Sequence, residues 1–453
     1  MLLRHARPGM VLSLPIFHPR ARDIVLLRAG VELDAQHIAK LRELRIREAW
    51  IHYPQFSSIE QYVSPAIHQA CHYVTHTISD ALENARSNAH ARLDYYTYKR
   101  AVAQLLEKFA AHPVAALFVQ DIGADGEPAL RHASTVCLLS LLMGLKLDFY
   151  LVRERARLAP YLATDISNLG VGAMLADVGM MHLEHDALRR WNTHADENDP
   201  AWRAHVLRGF EMVRDQVEPS AAAVVLHHHQ SFAGDGFPKV RRRTDEPLPL
   251  AGREIHIFAR IAAAADLFAR LRHPAHAPGA DESKTPSIPI ARALKTILTT
   301  PLRERIDPVV FMALMTVCPP YPPGTLVRLS NGVEGVVTQW SPDDPCRPTV
   351  ETLVDFAHTS RAQEHTERFV LRRHRDLFIT HADGMDVSND NFYPSVPGEF
   401  DLTRVSRMMA NRAEELQQSA KSNAKPGDAG SPTSNDETPD ASKGLPGTPL
   451  SEP

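Results

Sequence analysis

A mainly α-helical protein, with a small α/β unit before the helical body and a small β appendage after it, is predicted for this 453-residue chain from three observations. Between about residues 126 and 320 apolar residues recur at helical spacing, with turn signals between the segments. Ahead of them, short extended runs flank one helix-like stretch. Behind them, prolines end the helical pattern and Asn331-Gly332 sits between two runs of strand character, a strong hairpin signal.

Residues 1–55 read as the α/β unit. Val11-Leu12-Ser13-Leu14-Pro15-Ile16 and Ile24-Val25-Leu26-Leu27 are extended runs, Gly30 falls in a turn, and Asp34 is placed to cap a helix reaching Leu44. A short strand follows around Ala49-Trp50-Ile51. Residues 56–125 carry no Gly until Gly123 and few Pro, which suits helices. They read as a connector or homodimer face, or equally as extra helices of the main body. Residues 126–320 form the helical body. At Pro319-Pro320-Tyr321-Pro322-Pro323-Gly324 successive prolines remove donors and fix the backbone, so helix stops. Residues 321–382 then read as the β appendage, with Thr349 to Phe356 as a further strand. Residues 383–453 read as irregular to disordered, because the tail from about 412 nearly lacks the large apolar side chains that offset the entropy of ordering.

Length favours two or three domains plus linkers. The 54 acidic and 50 basic residues leave a formal charge of −4, which argues against a protein that coats nucleic acid polymers through counterion release. A small phosphate ligand in a local pocket stays compatible. The four cysteines, Cys71, Cys137, Cys318 and Cys346, are scattered, without zinc-knuckle spacing or a secreted framework, and point to a reducing cytoplasm. The N-terminus lacks a signal-peptide core, and no run reaches the roughly 18 apolar residues of a membrane span, so no membrane insertion is expected.

The chain has 24 histidines, and most of them, such as His18, His68, His72, His76 and His90, read as surface or ordinary packing residues. A few stand apart. His132 lies at the end of the helical stripe Val136, Leu139, Met143. Asp177 ends the apolar run Gly170-Val171-Gly172-Ala173-Met174-Leu175-Ala176, where an unpaired carboxylate is costly and a nearby cation would resolve the cost. His205 lies in an amphipathic segment just before Gly209. Leu226-His227-His228-His229-Gln230 runs into Gly234-Asp235-Gly236-Phe237-Pro238, adjacent imidazoles leading into a turn. Asp266 follows Ala259 and Ala262 on one helical face, small side chains that let another helix approach closely.

Taken in order, these segments resemble the HD-GYP branch of the HD-domain metal-dependent phosphohydrolases, whose signature includes a His-His pair ahead of a Gly-Tyr-Pro turn. Here the turn reads Gly236-Phe237-Pro238, and counting back from it makes His228 and His229 the pair, with His227 the alternative if the register slips by one. The resemblance implies a helical metal-binding domain acting on cyclic di-GMP or a related nucleotide in bacterial-type signalling. It implies two ions, one held by His132, the histidine of the His-Asp pair, Asp177 and Asp266, the other by Asp177, His205, His228 and His229. Asp177 bridges them as the residue of water activation. Two adjacent ions would stabilise both the attacking and leaving oxygens of a phosphodiester. Histidine and carboxylate donors without thiolates suit iron, manganese or a similar first-row divalent ion.

The chain departs from the signature at four positions. Ala176 replaces the histidine of the His-Asp pair, Met180 stands where a lysine is usual, Gln230 where a glutamate is, and Ala233 where an aspartate is. The first ion is therefore one ligand short. The expectation is one or two ions per chain and phosphodiester hydrolysis that is reduced or lost. A non-catalytic cyclic dinucleotide receptor or protein-interaction module with signalling partners is the alternative, and hydrolysis of another phosphate ester is a third.

Overall fold

The computed structural model describes residues 3, 6–18, 21, 24–44, 46, 48–88, 92–116, 127–241, 246–274, 287–341, 344–352 and 367–392. Met1–Arg407 form one compact unit. The second unit, Met408–Pro453, and with it the tail expected to be disordered, lies outside the described residues.

At the N-terminus four short strands, β1 (Val11–Leu12), β2 (Ile16–Phe17), β3 (Val25–Leu27) and β4 (Ile51–His52), enclose helix α1 (Ala35–Glu43). The extended run from Val11 to Ile16 is two strands with different antiparallel partners, β1 with β4 and β2 with β3. A bend at Ser13-Leu14 and the missing N–H of Pro15 interrupt a continuous ladder. Asp34 caps α1 as expected, its Oδ1 accepting from the His37 backbone N–H at 2.6 Å. Leu12, Leu33, Ile38 and Leu41 make the unit's own core.

Next come α2 (Pro65–Ser87), α3 (Tyr95–Ala111) and α4 (Pro113–Ala116). Along α2, Ile67, Cys71, Val74, Ile78, Ala81 and Ala85 are buried at three- and four-residue intervals, one continuous apolar stripe. The body contains α5 (Pro128–Lys146), α6 (Asp148–Glu154), α7 (Pro160–Ala163), α8 (Ser167–Met174), α9 (His185–His194), α10 (Pro200–Val213), α11 (Pro219–His227), α12 (Ile257–Arg272), α13 (Ile290–Thr299), α14 (Leu302–Arg305) and α15 (Pro308–Val317). The α2 stripe packs on α3 and α5, and α3 packs on α8, so these helices lie directly against the body. His68 and His72 join α2 to the N-terminal unit: His68 Nε2 lies 3.2 Å from the Pro15 carbonyl, and His72 stacks on Phe17.

α5 is the central helix. It is buried on nearly every side, with α8, α12 and α15 packed against it. Among the described residues it alone is long and apolar enough to cross a membrane, and 78% of its apolar window is buried inside the protein. Cys71, Cys137, Cys318 and Cys346 are buried free thiols.

The C-terminal β region is an antiparallel six-stranded sheet of β5 (Leu326–Leu329), β6 (Glu334–Gln339), β7 (Thr349–Thr352), β8 (Arg368–Val370), β9 (Ile379–Ala382) and β10 (Met385–Asp386), in the order β10-β9-β5-β6-β7-β8. β5 and β6 form the hairpin signalled by Asn331-Gly332, with Gly332 at φ +86°. The sheet runs past residue 382: β10 pairs with β9, and Val387 is fully buried. An Arg292 Nε to Asp390 Oδ2 bond of 2.8 Å ties this end to α13.

Candidate metal centre

The centre lies where α5, α10, α11 and α12 meet the turn after α8. His132 sits near the start of α5, His205 within α10, His228 and His229 at the end of α11, and Asp266 within α12. Asp177 immediately precedes the short 3-10 turn Val178–His182 and makes no capping bond there, which leaves its carboxylate to face the centre. That turn touches α10 closely: a Cβ at Gly179 would lie 2.0 Å from the His205 carbonyl oxygen and 2.5 Å from the Gly209 nitrogen. Glycine at 179 therefore sets how near Asp177 comes to His205.

The six expected residues form two groups that share Asp177. In the first, Asp177, His205, His228 and His229 each offer a ligand atom, all within 4.8 Å of one another; in the second, His132, Asp177 and Asp266 do the same. His205, His228, His229 and Asp266 are nearly fully buried, whereas His132 and Asp177 keep 21% and 24% exposure. Solvent therefore reaches the centre on the His132–Asp177 side.

In the histidine-rich group, Nδ1 of His205 donates to the Trp202 carbonyl at 2.7 Å and Nδ1 of His228 to the Val225 carbonyl at 2.9 Å. These bonds assign the tautomer, leaving each Nε2 as a bare acceptor. The two Nε2 atoms are 3.4 Å apart and lie 3.5 and 3.6 Å from Asp177 Oδ1. Nε2 of His229 is buried without a hydrogen-bond partner. Burial pushes His205 down to about 4 and His229 well below the ordinary histidine value, so both rings stay neutral. Lone pairs and a carboxylate oxygen converging in a buried space repel one another until a cation lies among them, and the residues present fit a divalent ion.

The acid-rich group is arranged differently. His132 Nε2 lies 3.0 Å from Asp266 Oδ1 and 3.3 Å from Asp177 Oδ2. Burial alone would lower His132, but the Asp266 bond and the Asp177 charge outweigh it and raise its proton affinity. Burial likewise opposes the charge on Asp266, yet the Arg270 guanidinium and His132 hold its carboxyl down to about 2. Asp177 is also held below the usual carboxylate range against burial, by the neighbouring imidazoles of His228, His132 and His205.

Residues 151–308 match the HD domain family, a range that contains Asp177, His205, His228, His229 and Asp266 and begins after His132. The chain is 25% identical over 341 residues to cyclic di-GMP phosphodiesterase PA4108 of Pseudomonas aeruginosa, covering 69% of this chain and 75% of that protein. Among solved structures it is similar to Bd1817, an HDG"Y"P protein from Bdellovibrio bacteriovorus, at 16% identity and a TM-score of 0.38, over 69% of this chain and 97% of that one. The family match and the similarity to PA4108 support an HD-GYP assignment. It carries an HD-GYP-like phosphohydrolase domain. HD domains bind divalent metals, and here the matching His/Asp cluster is assembled.

Within this HD-GYP-like domain the turn Gly236-Phe237-Pro238 has a cis Phe237–Pro238 bond, and Phe237 stacks on His229 with ring centroids 4.8 Å apart. Two of the departures from the signature have a local structural role. Met180 lies against the apolar cluster of Leu183, Trp202, Val206 and Phe237. Gln230 is buried and spans the turn, donating to the Pro238 carbonyl at 2.6 Å and accepting from the Leu250 N–H at 3.1 Å. Neither nearby histidine replaces the one absent at Ala176: His182 Nε2 contacts the Ala85 carbonyl and His185 is exposed. His227 lies outside both groups, so the pair is His228–His229.

Sequence reasoning missed three residues at this centre. Trp202 packs its ring against His205 and His229, at centroid distances of 4.9 and 5.0 Å. Arg270 binds Asp266, and Glu197 binds Arg270. The i, i+4 spacing of Asp266 and Arg270 on one helix was the available signal; nothing local pointed to Glu197.

Proposed function

We propose that this HD-GYP-like domain holds one divalent ion on Asp177, His205, His228 and His229, recognises cyclic di-GMP, and hydrolyses it slowly or not at all. The observation that carries the reading is the convergence of three buried imidazoles on the Asp177 carboxylate, two of them oriented by backbone carbonyls. The nitrogen and oxygen donors suit iron or manganese. A bound ion there would supply Lewis-acid charge to a phosphate oxygen. Trp202 and Phe237 shield the imidazoles from water, and the Asp177 carboxylate, at the more open edge, would accept a hydrogen bond from an attacking water and orient it. The substrate class is supported by the resemblance to PA4108, and a cytoplasmic place in bacterial-type cyclic dinucleotide signalling accords with it.

Ala176 is the reason for reduced turnover, since the second ion lacks a ligand. Bound metal and hydrolysis of a nucleotide panel containing cyclic di-GMP should be measured on the wild-type chain and on Ala176→His. The expected result is about one ion in the wild type and a higher ratio, with faster turnover, in the variant. Two tight ions in the wild type, with turnover equal to the variant's, would overturn the deficiency.

A second reading, a receptor that binds the dinucleotide without chemistry, is favoured by Met180 and Gln230, which serve packing and the turn here. Micromolar binding of cyclic di-GMP with no product in either protein selects it.

A further inference from the structure

We infer that Arg270 is a built-in cation that takes the electrostatic place of an ion in the His132–Asp177–Asp266 group, so that this half of the centre is balanced without metal. The inference rests on the one-ion reading above. A buried carboxylate needs a compensating charge and filled hydrogen bonds. Asp266 is 2% exposed, and the protein itself satisfies both of its oxygens. Oδ2 accepts from Arg270 Nη2 at 2.6 Å and from Nε at 3.0 Å, while Oδ1 faces His132 Nε2 at 3.0 Å. Two N–H groups of one planar guanidinium on one oxygen make a strong, oriented pair.

The far end of the guanidinium is anchored as well. Arg270 Nη1 donates to Glu197 Oε1, and the other oxygen of Glu197 accepts from Arg305 Nη2 at 3.0 Å. Acid and base thus alternate along His132, Asp266, Arg270, Glu197 and Arg305, joining α5, α12, the segment between α9 and α10, and α14. Moving Arg270 aside would strand a buried Asp266 and remove one partner of Glu197.

The consequence for metal is direct. An ion placed among His132, Asp177 and Asp266 would have to part His132 Nε2 from Asp266 Oδ1, now 3.0 Å away. It would also share Asp266 with a guanidinium already bound to it. Ala176 leaves this group one ligand short, and Arg270 gives it one cation too many. Among the described residues the histidine-rich group carries no arginine or lysine in an equivalent bond, which is why the two halves differ in their need for metal.

The test uses the full purified chain and Mn²⁺ alone, with stoichiometry from elemental analysis and affinities from calorimetry. Ala176→His is the background, and Arg270→Met, Arg270→Gln and Arg270→Lys are compared within it, each checked for folding by circular dichroism. Removing the charge with Met or Gln should tighten the second Mn²⁺ by at least about tenfold, whereas Lys should leave it near the background value. Gln keeps a donor for Asp266 and covers the case in which Met does not fold. Second-ion affinity unchanged in the neutral variants, or improved equally by Lys, overturns the role of Arg270 while leaving the one-ion reading intact. A wild-type chain that binds no Mn²⁺ overturns the one-ion reading itself, and this inference with it.

Discussion

The two halves of the centre are built from the same side-chain types around one shared aspartate, yet their electrostatics are opposite. Around Asp177, His205, His228 and His229 the protein brings together imidazole nitrogens and a carboxylate oxygen and leaves a buried nitrogen of His229 without a partner. Around His132 and Asp266 it supplies its own positive charge, from a ring with raised proton affinity and from Arg270. On the reading proposed above, the first group is completed by an added cation, whereas the second is already balanced. Donor type alone therefore does not decide whether a His/Asp cluster needs metal; the charge in the next layer does.

The comparison can be broken most directly by removing a shared or histidine-half donor. Asp177→Asn or His228→Ala should weaken the bound ion by more than about 100-fold, since losing even a supporting group costs a metal site 10- to 100-fold. Elemental analysis after desalting should then find almost no metal. Retention of the ion by His228→Ala would mean that the histidine half is not where it sits.

Asp266→Asn probes the other half and should act on stability instead. It leaves Arg270 facing a neutral amide at a buried position, a change that costs about 3–5 kcal/mol when one partner of a buried pair is lost. Urea unfolding of chelated protein should register that loss while the metal ratio of the folded protein stays near the wild-type value. A variant that sheds its metal instead would place the ion on Asp266 and erase the distinction between the halves.

The smallest effect separates the centre from the rest of the molecule. His68, away from the metal residues, is pushed down to about 4 by burial beside the Pro15 carbonyl. A histidine whose folded value lies below its unfolded one contributes stability above about pH 6.5 that is lost as pH falls toward 4, because the unfolded chain takes up the proton first. His68→Gln should flatten the acid limb of the stability curve by on the order of 1 kcal/mol in chelated protein. A curve unchanged by this variant would assign the acid sensitivity elsewhere, the centre included.

Much of this was legible in the residues. The cap at Asp34, the hairpin at Asn331-Gly332 and the end of α15 before Pro319 are set by local backbone preferences, which act over a few residues and so are written in neighbouring letters. The order of the donor segments was legible too, because it matches a known signature, whereas their convergence into two groups that share Asp177 is a property of the fold. The split of the Val11–Ile16 run was not, since Ser13 donates to the Trp50 carbonyl and strand partners decide where a ladder ends. The extension of the sheet to β10 was missed for a similar reason: Met385–Asp386 has little strand character, and its pairing with β9 is what makes it a strand.

The chain by itself determined which side chains are available to hold an ion and that a histidine is absent at Ala176, because identity and order along a polymer need no folding. Only the tertiary structure decided that Arg270 faces inward onto Asp266 and is anchored by Glu197, 73 residues earlier. An arginine near the end of an amphipathic helix reads equally well as a solvent-facing cation. Its charge becomes part of the centre only when burial removes the water that would otherwise screen it and a distant carboxylate fixes where it points.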